Sequence, residues 1–176
     1  MSTTQLIFDV SKLMETTIGT REMYSFEIPL DFEGFKTMSS TAGKAEIMRI
    51  EDAFNAKIME VEVALEFTCE HCLKKYSQTI KIPMAERQFL FKAPEKVEDP
   101  SDLYLLNSQN STLDLSEMLR QEIILHFPLI PVCSKSCKGI CSVCAKNRNE
   151  QPCKCEPETI RQQNKPLAVL KELFKK

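Results

Sequence analysis

The sequence predicts an α+β protein: an antiparallel sheet with a C-x-x-C hairpin, one central packing helix, and a cysteine-rich C-terminal tail ending in a short helix. Three observations carry this. Met59, Val61, Val63, Leu65 and Phe67 alternate with Glu60, Glu62, Ala64, Glu66 and Thr68, the period of a strand with one buried face. Asp114, with Glu117 three residues on, reads as a capping box opening a helix. All eight cysteines fall into closely spaced pairs, six of them between Cys133 and Cys155.

In order along the chain, residues 5 to 10 and Met23 to Ile28 read as short strands, and Ala45 to Ile50 as a third. Residues 51 to 56 read as turn or loop before the alternating strand 59–67. That strand runs into Cys69-Glu-His-Cys72 and out into Tyr76–Ile82, so the pair sits at a hairpin tip; Gln88 to Lys92 extends the sheet. Residues 93 to 111, rich in Pro, Asp, Glu, Ser and Asn, read mostly as loop around the apolar island Leu103–Leu106. The helix begins after Asp114 and ends near Phe127 at Pro128, with Leu115, Met118, Leu119, Glu122, Ile123 and His126 along its packing side. Pro128 and Pro131 keep the next stretch extended. After the cysteines, Pro166 starts a final helix with Leu167, Leu170, Leu173 and Phe174 as its stripe. This gives an α+β domain over 1–132, with the hairpin at 69–72, and a basic tail over 133–176.

A hydrophobic fraction of 43% and 27% charged residues are globular values for 176 residues. The start lacks a leader-like apolar segment and no run approaches membrane-spanning length, which places the expectation in the cytoplasm with no membrane partner. There thiols stay reduced, so eight cysteines argue for metal or redox chemistry rather than disulfides. The net charge of −2 is uneven: residues 1–132 carry 13 Lys+Arg against 21 Asp+Glu, and 133–176 carry 10 against 4. Nucleic-acid contact needs a local positive surface, and the tail supplies one. Four thiolates around one divalent ion carry −2, however, so part of that charge serves the metal sites themselves.

Spacing divides the thiols into two sets. Cys141, Cys144, Cys153 and Cys155 enclose a loop long enough to close one tetrahedral site. Cys133 and Cys137 are then free to meet Cys69 and Cys72, tying the tail to the hairpin through a shared site. The hairpin turn points both sulfurs to one side, as a zinc knuckle requires. All-thiolate closed sites favour structural zinc, one or two ions here. Three rivals are weaker. Buried hydrophobic cysteines do not fit six thiols among Lys, Asn and Pro; an iron–sulfur cluster on Cys137, Cys141 and Cys144 leaves the other thiols unexplained; and neither C-x-x-C stands at a helix N-terminus as a redox dithiol does.

His71 reads as a surface group, and His126 as a partly buried residue favoured by the helix C-terminus. No nucleophilic triad, phosphate loop, dinucleotide fingerprint or small-molecule site has its sequence context, so no enzyme is expected.

The stretch Cys133-Ser-Lys-Ser-Cys-Lys-Gly-Ile-Cys-Ser-Val-Cys-Ala-Lys-Asn-Arg-Asn149, preceded by Ile123–Pro131, resembles the YceD family, as do Cys69-Glu-His-Cys-Leu-Lys and the closing Pro166–Leu173. The resemblance covers about residues 59 to 175. It implies a non-enzymatic factor for large-subunit (23S) ribosomal RNA accumulation, acting in ribosome biogenesis through rRNA processing or subunit assembly. Its partners would be the large-subunit RNA precursor or ribosomal proteins. Shorter family members keep the first four-cysteine set and lack the later thiols, in agreement with two separate sites. Ala145 and Arg148 depart from the fuller pattern, which has Gly and Leu there; Ala145 is strained if its position needs a positive φ.

Two functional classes follow. In the first, zinc organises a basic tail whose Lys135, Lys138, Lys146, Arg148 and Lys154 touch RNA phosphates or a ribosomal protein. In the second, the chain is a zinc-stabilised protein–protein adaptor without RNA contact.

Overall fold

The computed structural model describes residues 5–30, 32–94, 103–107 and 109–155, and these are mostly β with few helices. They form two units: residues up to 67 with 75–131, and residues 68–74 with those from 132 onward.

In the first unit, β1 (Ile7–Asp9) pairs antiparallel with β7 (Thr112–Asp114), and the one-turn α1 (Ser11–Met14) buries Leu13 beside them. The main sheet has five strands in the order β2 (Arg21–Ile28), β3 (Thr41–Arg49), β4 (Ala53–Thr68), β5 (Lys75–Leu90) and β6 (Tyr104–Leu105). It is mixed, not antiparallel as the sequence predicts, because β6 runs parallel to β5 through Phe89 and Leu90. β6 is the apolar island expected to be loop. Leu106 follows it, is buried, and donates its N–H to the Leu90 carbonyl.

Two further expectations fail on β4. Residues 53 to 56 are strand, not loop: Phe54 and Ala56 are fully buried, and the turn is confined to 50–52, closed by the Ile50 N–H on the Ala53 carbonyl. Met59 is not on the packed face, since buried positions run 54, 56, 58 and then 61, 63, 65. The parity changes at Glu60, whose φ is +53°, opposite a register shift in β3 between Ala42 and Lys44. This is a β-bulge: one extra residue keeps the same sheet face buried while the sequence alternation reverses. Gly43 lies at the shift because a Cβ there would stand 2.8 Å from both the Phe26 ring and Val61.

The packing helix α2 (Ser116–Leu125) buries Met118, Leu119, Glu122 and Ile123, with Leu115 beside its start. Glu122 is buried because Arg87 of β5 pairs with it at 2.7 Å. Asp114 is not the N-cap residue: it belongs to β7, and its carboxylate accepts the Ser116 N–H. Glu117 is turned to Arg120 rather than back to the cap. His126 is exposed, not partly buried, with Nδ1 2.8 Å from the Glu122 carbonyl. The final helix expected from Pro166 lies outside the described residues.

Candidate metal centres

The second unit is built from two C-x-x-C knuckles of nearly identical backbone. In the first, the Cys69 N–H donates to the Lys74 carbonyl at 2.9 Å and the Leu73 N–H to the Cys69 carbonyl at 2.9 Å. In the second, the Cys141 N–H donates to the Lys146 carbonyl at 2.8 Å and the Ala145 N–H to the Cys141 carbonyl at 2.9 Å. The residue after each second cysteine takes a left-handed conformation, φ +58° at Leu73 and +57° at Ala145. The strain expected at Ala145 is therefore present, and Leu73 shares it.

Each turn aims backbone N–H groups at its first sulfur. The N–H groups of Cys144 and Val143, helped by the Cys153 thiol, pull the Cys141 thiol down to about 6. Burial pushes Cys69 up, but the N–H groups of Cys133, Cys72 and His71 outweigh it and bring that thiol also to about 6. Other members move the opposite way. Burial and the thiols of Cys72, Cys137 and Cys69 push Cys133 up to about 12. Hydrogen bonding with the Cys144 thiol, then burial, pushes Cys155 up to about 12. Cys137 is also lowered, chiefly by the Gly139 N–H. Each cluster thus favours the thiolate at some members and disfavours it at another, a conflict that a divalent cation removes.

The structure brings together Cys69, Cys72, Cys133 and Cys137 as one group and Cys141, Cys144, Cys153 and Cys155 as the other, the sulfurs of each within 4.8 Å of one another. In the first group Cys69 and Cys137 sulfurs are 3.9 Å apart and those of Cys72 and Cys133 3.6 Å. Four thiolates at about 2.3 Å from a tetrahedral ion would lie about 3.8 Å apart, whereas disulfide sulfurs would be at about 2.05 Å. The donor sets fit a metal ion, and either group could hold one.

The segments bearing the two knuckles are laced together. Ile140 and Asn147 form an antiparallel bridge, and the Arg148 N–H donates to the Gly139 carbonyl at 2.9 Å. The Ile140 N–H reaches the His71 carbonyl at 2.9 Å. Gly139 permits this approach: it has φ +68°, and a Cβ there would sit 3.0 Å from that same carbonyl oxygen. Asn149 accepts the Lys138 N–H at 2.8 Å and donates from Nδ2 to the Cys137 sulfur at 3.4 Å. Sequence reasoning missed Asn149 and the Lys74–Glu150 ion pair at 3.2 Å, since single polar contacts have no periodic signal. His71 is exposed, as read from the sequence.

Among the basic residues, Lys135, Lys138, Lys146 and Lys154 are exposed and Arg148 is half-buried. Lys138 and Arg148 line a recess of about 260 Å³ with Pro152 and Cys153, and neither side chain has an ion-pair partner among the described residues. No helix among these residues is long and apolar enough to cross a membrane.

Together these features define a mostly β protein with two four-thiol clusters held on paired knuckles. The chain belongs to the YceD family, described as large ribosomal RNA subunit accumulation protein, whose family model matches residues 58–174. It is also similar to the chloroplastic large ribosomal RNA subunit accumulation protein YCED homolog 1 of Zea mays, 36% identical over 64 residues. That match spans 36% of this chain and 20% of the maize protein. No solved structure matches the chain.

Proposed function

We propose that this chain is a non-enzymatic cytoplasmic factor that supports large-subunit ribosomal RNA accumulation, with zinc in both clusters and RNA phosphate bound by the metal-organised unit. Cys69, Cys72, Cys133 and Cys137 hold one ion, and Cys141, Cys144, Cys153 and Cys155 the other. Lys138 and Arg148 form the principal contact, with Lys135, Lys146 and Lys154 around it. The observation that carries the reading is the recess where the lysine and the guanidinium converge without an acidic partner among the described residues. A guanidinium beside an ammonium fits phosphate oxygens.

The contact is local rather than a diffuse field. Residues 68–74 and 132–155 carry Lys74, Lys135, Lys138, Lys146, Arg148 and Lys154 against Glu70 and Glu150. Two zinc–thiolate groups at −2 each cancel that surplus. Binding should therefore involve few phosphates and a shallow salt dependence. Lys138→Gln with Arg148→Gln should flatten the slope of log affinity against log salt by roughly 2, one for each phosphate that is no longer neutralised.

The decisive experiment is gradient sedimentation of tagged protein from cells, with the crosslinked RNA sequenced. Comigration with large-subunit precursors and crosslinks to a defined region of their RNA support the reading. Migration at the top of the gradient without enriched RNA favours the adaptor alternative. One feature of the first unit speaks for that alternative: Leu125, Leu129 and Ile130 are exposed, an apolar run suited to a protein partner.

A further inference from the structure

We infer that the two clusters do not load independently: metal in the second cluster fixes Asn149 against the Cys137 thiolate and so tightens metal binding in the first. The inference rests on metal occupancy of both clusters and is independent of RNA contact.

The hairpin of residues 138–149 links the clusters. Its turn is the second knuckle, and one strand continues to Asn149. Beyond its own backbone and Asn149 bonds, the hairpin is held by the Ile140 N–H on the His71 carbonyl and, just past its end, by the Lys74–Glu150 ion pair. Ile140 and Val143 are exposed, so no apolar core anchors it, and Cys141 is its one buried residue. Metal bound by Cys141, Cys144, Cys153 and Cys155 closes the loop and sets the hairpin's direction.

The hairpin then meets the first cluster at two points. The Ile140 N–H reaches the His71 carbonyl inside the first knuckle, and Asn149 Nδ2 reaches the Cys137 sulfur. Asn149 is itself held in place: Asn147 Oδ1 accepts both its backbone N–H at 3.0 Å and its Nδ2 at 2.9 Å, while its Oδ1 takes the Lys138 N–H. An amide donor aimed at a metal-bound thiolate orients the ligand and offsets its charge. Removing such a partner lowers metal affinity by about 10- to 100-fold. Because Asn149 is exposed, about tenfold is the expected effect.

The test uses the full chain, stripped of metal under reducing conditions and titrated with Zn²⁺ against a competing chelator, with Co²⁺ as a spectroscopic probe of thiolate coordination. Native mass spectrometry of the parent at saturating metal should show two ions per chain. Cys153→Ser with Cys155→Ser should leave one tetrathiolate site that binds at least tenfold more weakly than the first site of the parent. Asn149→Ala should still bind two ions but with about tenfold weaker binding at the first site. Adding Asn149→Ala to the cysteine pair should cost less than the two losses multiplied.

A first site within twofold of the parent in the Cys153/Cys155 variant, or in Asn149→Ala, overturns the coupling. Fewer than two ions in the parent overturns the occupancy itself, a distinct failure because it precedes any comparison of variants.

Discussion

The two units hold together by different means. The first encloses a continuous apolar core in which Phe54, Ile58, Leu65, Phe89, Leu119 and Ile123 are at or near zero exposure. In the second, the buried residues among those described are Cys69, Cys72 and Cys141, while Leu73, Ile140 and Val143 face solvent. One unit is stabilised by removing hydrocarbon from water; the other carries two four-thiol clusters instead. So short a segment cannot bury enough apolar surface to offset the entropy of ordering its backbone. Under the proposed function, metal coordination takes the place of a core there.

Stripping the metal under reducing conditions tests this contrast most severely. Amide exchange across 69–74 and 137–155 should rise to the rate of an unfolded segment, a loss on the order of 10 kcal/mol, while β3, β4 and β5 keep their protection. Persistent protection around both knuckles after stripping would show that the second unit has another source of stability.

The converse experiment is Phe54→Ala. It removes a fully buried ring from the first unit and should cost about 3–5 kcal/mol in denaturant unfolding. The bound metal, two ions under the proposed function, should be unchanged. A drop in metal content would show that the two units do not divide their stabilities as their cores imply.

A smaller effect sharpens the comparison within the second unit. Ala145→Gly and Leu73→Gly each relieve a left-handed residue at the same place in a knuckle. Each should stabilise the unit by about 0.5–1 kcal/mol, because the αL cost of an L residue exceeds the added flexibility of glycine. The readout is the chelator concentration at half release. A gain at one position and not the other would show that the knuckles differ in more than side chains.

Much of this was legible in the sequence. The cysteine sets could be read because a metal ion imposes close ligand pairs, and because a pair separated by eight residues from the next can close on itself. The hairpin tip at Cys69 followed from alternation on either side of it. The bulge at Glu60 was less legible: two runs of opposite parity, 54/56/58 and 61/63/65, adjoin without a glycine or proline in β4 to mark the break. The chain thus read as loop followed by strand. β6 has two residues and no room for a period. Asn149 acts through one side-chain bond to sulfur, which no pattern of hydropathy records. The helix start was misplaced by one residue because Asp114 is shared between a strand and the first N–H of the helix.

The long separation between Cys72 and Cys133 has a consequence for synthesis. Translation proceeds from the N-terminus, and the described apolar core of the first unit is complete once Ile123 has been added. The first cluster has to wait for Cys137 and the second for Cys155. At about 5–20 residues per second that wait is on the order of seconds. During it Cys69 and Cys72 are carried at the tip of a hairpin whose strands can already pair, as thiols without their partners. The Cys69 thiol is then open to the first oxidant or stray metal it meets, so under the proposed function the nascent chain needs a reducing environment before it needs zinc.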